Sequence, residues 1–305
     1  MVLLQQMVVL FIIMIIGFLC QKKGMLNEEA NKRISGLVVN VANPALVLSA
    51  SINKENVIEG MELLASSLLA ISMFGVLILI ARVLPVILKI DKQNHGTYKA
   101  MTVFSNIGFM GFPVISAVYG SEALLYASVF LLPFNTLIYT YGVNVMQQIG
   151  TNKQPFQWKK IINTGVVACI ISLFIYLTRL PIPQFAEDVI TSLSNLTAPL
   201  SMMLIGASMT KIKGRELLSD YKLLIFSIIK MILIPVCGML LIMQFDINPL
   251  FKGVCLIMLA TPVGSMTAML AQQYDGDYEL ASKGVALTTV LSVVTIPLLS
   301  AVLGI

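Results

Sequence analysis

The sequence predicts an all-α integral membrane fold of about ten transmembrane helices, arranged as two inverted five-helix repeats. Three observations carry this expectation. Of the 305 residues, 57% are hydrophobic and only 11% charged, with a mean hydropathy of +0.90, too few polar side chains to clothe a soluble domain of this length. The apolar residues form continuous runs of roughly 17 to 25, the length that crosses hydrocarbon as helix, and they lack the alternation of a membrane barrel. Proline and glycine recur at corresponding places in the two halves.

Taken in order, the first run is Leu4–Cys20, which has no basic segment before it and ends in QKKG without a small-residue cleavage site. It reads as a retained span and not as an export signal. Ile34–Ser51 follows, with Asn43 and Pro44 inside it, and then Leu63–Leu88. Ala100–Tyr119 contains SNIGFMGFPVISAVYG, and Leu124–Gln147 carries a polar stripe of Asn135, Tyr139 and Asn144. After the polar linker GTNKQPFQWKK come Ile161–Leu177, Val189–Met209 with Thr197 and Pro199, Leu223–Met243 with Lys230, Leu250–Ala271 with Thr261, Pro262 and Ser265, and Ala286–Leu303. The expected division is residues 1–150 as the first repeat, 151–160 as a cytoplasmic linker, and 161–305 as the second. An odd number of spans per half sends the second half into the membrane upside down. NPALVL is answered by APLSMML, ARVLPV by KMILIPV, and GFPV by ATPVGS.

The formal net charge of +5 is read for topology first. Cations alternate between connections: Lys22, Lys23, Lys32 and Arg33; then Lys89, Lys92 and Lys99; then Lys153, Lys159 and Lys160; then Lys211, Lys213, Arg215 and Lys222. The intervening connections hold only Lys54, none, Arg179 and Lys252, and the ninth, YDGDYELASKG, sets three acids against Lys283. Both termini are therefore expected outside. Cys20, Cys169, Cys237 and Cys255 lack metal-ligand spacing, and the single histidine, His95, sits in a charged loop. No acid falls deep within a predicted span, which argues against a carboxylate-based proton or sodium exchanger. The motif GxxxxGK[ST] is absent. Neither an enzyme, a cofactor, a metal nor a nucleic-acid partner is expected.

The run from Ser105 to Gly120 places Gly108, Gly111 and Pro113 where lipid least tolerates a broken backbone. Its counterpart in span nine is Pro262, flanked by Thr261 and Ser265. Paired interruptions of this kind point to a transporter binding site, because freed backbone groups are tolerable only when buried or lining a cavity, and the half-helix after the break presents a positive N-terminal end. Breaks are expected at Pro113 and Pro262. Asn106 offers an amide either to a carboxylate or to a neighbouring helix. Asn43 and Thr197 either line a pocket or satisfy carbonyls freed by the adjacent prolines, and Asn135 is open in the same way. Lys230 either serves an intramembrane site or snorkels to the interface.

NPALVLSA, FSNIGFMGFPV, LTAPLSMMLIGASM and LATPVGSMTAMLA, in that order along the chain, resemble the auxin efflux carrier family, which includes plant carriers and bacterial organic-acid permeases. The resemblance spans essentially the whole chain. It implies a scaffold of spans one, two, six and seven that also forms a homodimer, and a transport domain of spans three to five and eight to ten. It implies crossing broken helices in spans four and nine, a small-molecule carboxylate at the crossing, mono- or dicarboxylate, auxin-like or malate-like, and elevator-type movement. A bacterial cytoplasmic membrane is the expected location, with lipid as the other partner. A non-transporting sensor that binds a carboxylate in the same cavity is the alternative.

Overall fold

Asparagine and aspartate side chains set the starts of five helices. Asn27 accepts from the Ala30 N–H, Asn163 from Val166, Asp220 from Lys222 and Leu223, Asn248 from Leu250, and Asp277 from Leu280, each satisfying a donor that the first turn leaves orphaned. A computed structural model describes residues 2–52, 60–147, 162–210, 220–274 and 276–304. The linker at 151–160 and the cations Lys54, Lys153, Lys159, Lys160, Lys211, Lys213 and Arg215 lie outside the described residues.

The described chain is helical. Its segments are α1 (Val2–Lys22), α2 (28–49), α3 (Gly60–Ile87), α4 (His95–Val103), α5 (Ile107–Tyr119), α6 (Ala123–Met146), α7 (Thr164–Thr178), α8 (Gln184–Met209), α9 (Tyr221–Ile242), α10 (Pro249–Ala260), α11 (Ser265–Gln273) and α12 (Tyr278–Leu303). By length and composition α3, α6, α8, α9 and α12 are able to cross a membrane; Val8–Lys22, α5, α7 and α10 are shorter apolar helices. Helices α2 and α12 begin several residues before the apolar runs Ile34–Ser51 and Ala286–Leu303. Capping, and not hydropathy, decides where a helix starts.

Among the described residues four π turns interrupt the α geometry, at Val38–Ala42, Ile107–Gly111, Ile138–Gly142 and Ile229–Leu233. Three of them end two residues before a proline: Pro44, Pro113 and Pro235. A proline has no N–H to give and its ring crowds the carbonyl one turn earlier; widening that turn removes the clash while the helix continues. The helix therefore runs through Pro113. The break expected there lies about two turns earlier.

The chain divides into two compact units. The first comprises residues 1–67, 108–132 and 162–211. Within it α1 lies along the second half of α8 so closely that a Cβ at Gly17 or Gly206 would overlap the backbone of Met203 or Met14. The Ser172 hydroxyl donates to the Val47 carbonyl at 3.0 Å and the Cys169 thiol to the Ser128 carbonyl at 3.2 Å, tying α7 to α2 and α6. The buried Tyr126 donates its hydroxyl proton to Glu62, in the first turn of α3.

The second unit comprises residues 68–107, 133–161 and 212–305. Its core gathers Leu84, Tyr98, Met101, Leu223, Phe226, Val263 and Leu287, with Tyr98 edge-on to Phe226 at 5.1 Å. Lys222 donates to the Lys89 carbonyl at 2.7 Å, capping the end of α3.

Candidate functional site

Two interrupted helices meet in the second unit. Helix α4 ends at Val103, and Phe104 turns extended with φ −97° and ψ 95°. Helix α10 ends at Ala260, and Thr261 and Gly264 are extended on either side of Pro262 and Val263. Ser105 and Val263 pair as a single antiparallel bridge. The Asn106 N–H donates to the Pro262 carbonyl at 2.7 Å and the Gly264 N–H to the Phe104 carbonyl at 2.9 Å. A Cβ on Gly264 would stand 2.9 Å from the Ser105 carbonyl oxygen, so the close backbone approach needs glycine there.

Backbone groups freed by a break must find partners when buried, and the rest of the unit supplies them. The Val263 N–H donates to the Thr288 hydroxyl at 3.0 Å, and that hydroxyl in turn donates to the Gly284 carbonyl at 2.7 Å. On the other strand of the junction the Thr102 carbonyl, left over at the end of α4, accepts from the Lys230 ammonium at 3.0 Å; the same ammonium donates to the Ser105 hydroxyl at 2.8 Å. Phe104 is fully buried beside the break, edge-on to Phe134 at 5.8 Å and against Gly142.

Lys230 is 0% exposed, the one buried charged side chain among the described residues. It sits in the π turn Ile229–Leu233 of α9. Of the two readings open from sequence, snorkelling is excluded, since the ammonium turns inward to the junction. Among the described residues no acid forms an ion pair with it.

The other predicted site residues divide between the units. Asn106, Thr261, Pro262 and Ser265 belong to the junction. Asn106 is buried, Thr261 turns its hydroxyl to the Met258 carbonyl of its own helix, and Ser265 opens α11 half-buried. Asn135 is half-buried on α6 in the same unit. Gly108, Gly111, Pro113, Asn43 and Thr197 fall in the first unit. There the Asn43 amide lies against Gly108, since a Cβ on that glycine would stand 3.4 Å from Asn43 Nδ2. Asn43 Oδ1, Thr197 Oγ1 and, one helical turn on, Ser201 Oγ are buried without a hydrogen-bond partner.

Sequence reasoning missed Thr102, Ser105, Gly264 and Thr288, which build the junction, and Thr267 and Tyr141. The hydroxyls of the last two are buried and unpartnered, with Thr267 in the first turn of α11 and Tyr141 packed against Phe104 at 6.4 Å. A buried hydroxyl without a partner carries a desolvation cost of about 1–3 kcal/mol. Such a cost is offset when a ligand supplies the partner.

The chain matches the sequence profile of a family described as Membrane transport protein, over residues 2–157 and 152–300. It belongs to that family. This membrane transport protein family is also the one that the four motifs resemble, that of the auxin efflux carriers. Two archaeal relatives of the family are similar over nearly their whole length. An uncharacterized transporter of Methanocaldococcus jannaschii is 26% identical over 299 residues, 95% of each chain. An uncharacterized transporter of Methanothermobacter thermautotrophicus is 24% identical over 311 residues, 96% of this chain and 95% of its own. Family and helices together make the chain an integral membrane transporter.

Proposed function

We propose that the chain is a secondary carrier for a small organic anion, a mono- or dicarboxylate of auxin-like or malate-like character, bound at the junction of α4–α5 with α10–α11. One observation carries this reading: the junction holds a buried ammonium that no acid balances among the described residues. A site of that sign favours an anion. The N-terminal ends of α5 and α11 both begin at the junction and add partial positive charge. The unpartnered hydroxyls of Thr267 and Tyr141 offer donors for the carboxylate oxygens, and Asn106, Ser265 and Asn135 of the same unit are proposed as substrate-facing positions. Asn43, Thr197, Gly108, Gly111 and Pro113 of the first unit are proposed as further substrate-facing positions. The proposed architecture is ten spans in two inverted repeats with both termini outside, in a bacterial cytoplasmic membrane, forming a homodimer through its scaffold helices. Access alternates in elevator fashion.

The test is charge movement by purified protein in proteoliposomes on a solid-supported membrane, challenged with malonate, L-malate, indole-3-acetate and other carboxylates. A current evoked by at least one anion, and absent from protein-free vesicles, is expected. Thermal stabilisation by an anion without current in any gradient would replace the carrier with a sensor. Neither current nor stabilisation across the panel would remove the organic-anion assignment.

A further inference from the structure

The Lys230 ammonium is held by two oxygens of the kind that also bind a monovalent metal cation. Its two acceptors are neutral oxygens, the Thr102 carbonyl at 3.0 Å and the Ser105 hydroxyl at 2.8 Å. The carbonyl belongs to the last turn of α4, the negative end of a helix whose final carbonyls lack amide partners. Carbonyls at the C-terminal ends of half-helices, together with hydroxyls, are what transporters use to hold a small monovalent coupling cation near the midplane. Here a tethered cation fills that place. The π turn Ile229–Leu233 carries it, with Pro235 two residues beyond keeping the turn wide.

We infer that Lys230 is a resident cation, seated in an oxygen nest that takes a free monovalent cation when the side chain is removed. The nest itself stands on the geometry of α4 and α9 alone. Its consequence rests on the proposed function: by outweighing the partial negative charge at the end of α4 the ammonium fixes the junction as an anion site, so Lys230 acts as a positioning charge and does not leave with the substrate.

The experiment has two arms. In the first, thermal unfolding of purified Lys230→Ala and wild-type protein is followed in choline chloride while methylammonium chloride or sodium chloride replaces it at constant ionic strength. Recovery of the variant by about 2 °C or more at saturating methylammonium or sodium is expected, with the wild type unmoved. The double variant Lys230→Ala, Ser105→Ala is expected to lose the response. Equal responses of variant and wild type, or none in the variant, overturn the nest. If Lys230→Ala folds only when extracted in methylammonium or sodium, that supports the nest; failure in every salt, with Lys230→Met folding normally, counts against it. In the second arm, anion flux by Lys230→Ala in proteoliposomes is expected to fall at least tenfold in choline and to return in part with methylammonium. Normal flux in choline overturns the positioning role. No organic anion is present in the first arm, so a carrier reading that fails, with no wild-type flux for any carboxylate, leaves the melting result to judge the nest independently.

Discussion

Replacing Thr288 with Val removes the acceptor of the Val263 N–H and leaves a buried donor unpaired, a loss of about 1–3 kcal/mol. Thermal unfolding in detergent is expected to show it, with Thr288→Ser close to wild type. Gly264→Ala forces a methyl group to 2.9 Å from the Ser105 carbonyl oxygen, and the strain is expected to lower stability by about 1–3 kcal/mol. Thr267→Val should do the opposite: its hydroxyl has no partner to lose, so the melting temperature holds or rises while flux of the transported anion falls severalfold. Unchanged flux would remove Thr267 from the site. These residues are not equally visible in the sequence. Lys230 stands out as an ion within an apolar run, whereas Thr288 stands beside a second threonine in the same apolar run, Thr289, whose hydroxyl only bonds back to the Val285 carbonyl of its own helix. The two threonines are distinguished by a contact 25 residues away in sequence.

At the scale of a helix, proline and interruption are separable. Pro44, Pro113 and Pro235 each come after a π turn that absorbs them, while α4 breaks at Phe104–Asn106 with no proline present. Pro262 does lie in a break. The local sequence therefore reveals the interruption at Pro262 and misplaces the other, because the break after α4 is held by the distant Pro262 carbonyl and by the packing of Phe104 on Phe134, which no local pattern encodes. A π turn holds one residue more than the α turn it replaces, which gives a prediction. Deleting Ile232 from the π turn of α9 keeps the faces of the rest of the helix but returns Pro235 to the clash that the wide turn relieves, so a protein that still melts cooperatively, less stable by about 3 kcal/mol, is expected. Deleting Val236 from the regular α stretch rotates the helical residues after it by about 100°, turning buried Met239 and Ile242 out of the core, and is expected to abolish that cooperative melting.

For the whole molecule, the apolar runs locate most of the helices and Asx residues mark the starts of five of them, since length and capping are local properties. The grouping into two units is not legible, because it depends on which distant segments pack together. Orientation is open to a direct check. In a background where exposed Cys237 and half-buried Cys20 are replaced by Ser and buried Cys169 and Cys255 are kept, a cysteine at exposed Gln93 is expected to react with an impermeant maleimide only in inside-out vesicles, and one at exposed Pro181 only in right-side-out vesicles. The antiparallel pair Ser105 and Val263 also bears on how the chain is made. More than 150 residues separate the two strands of the bridge, so when α4 and α5 leave the ribosome, the amide of Asn106 and the carbonyl of Phe104 have no partners to meet. Until residue 264 is synthesised and inserted, those groups must be hydrated or shielded by the insertion machinery. Biogenesis thus carries an obligatory waiting period, and an arrested chain ending before α10 is expected to be the species that quality-control proteases capture.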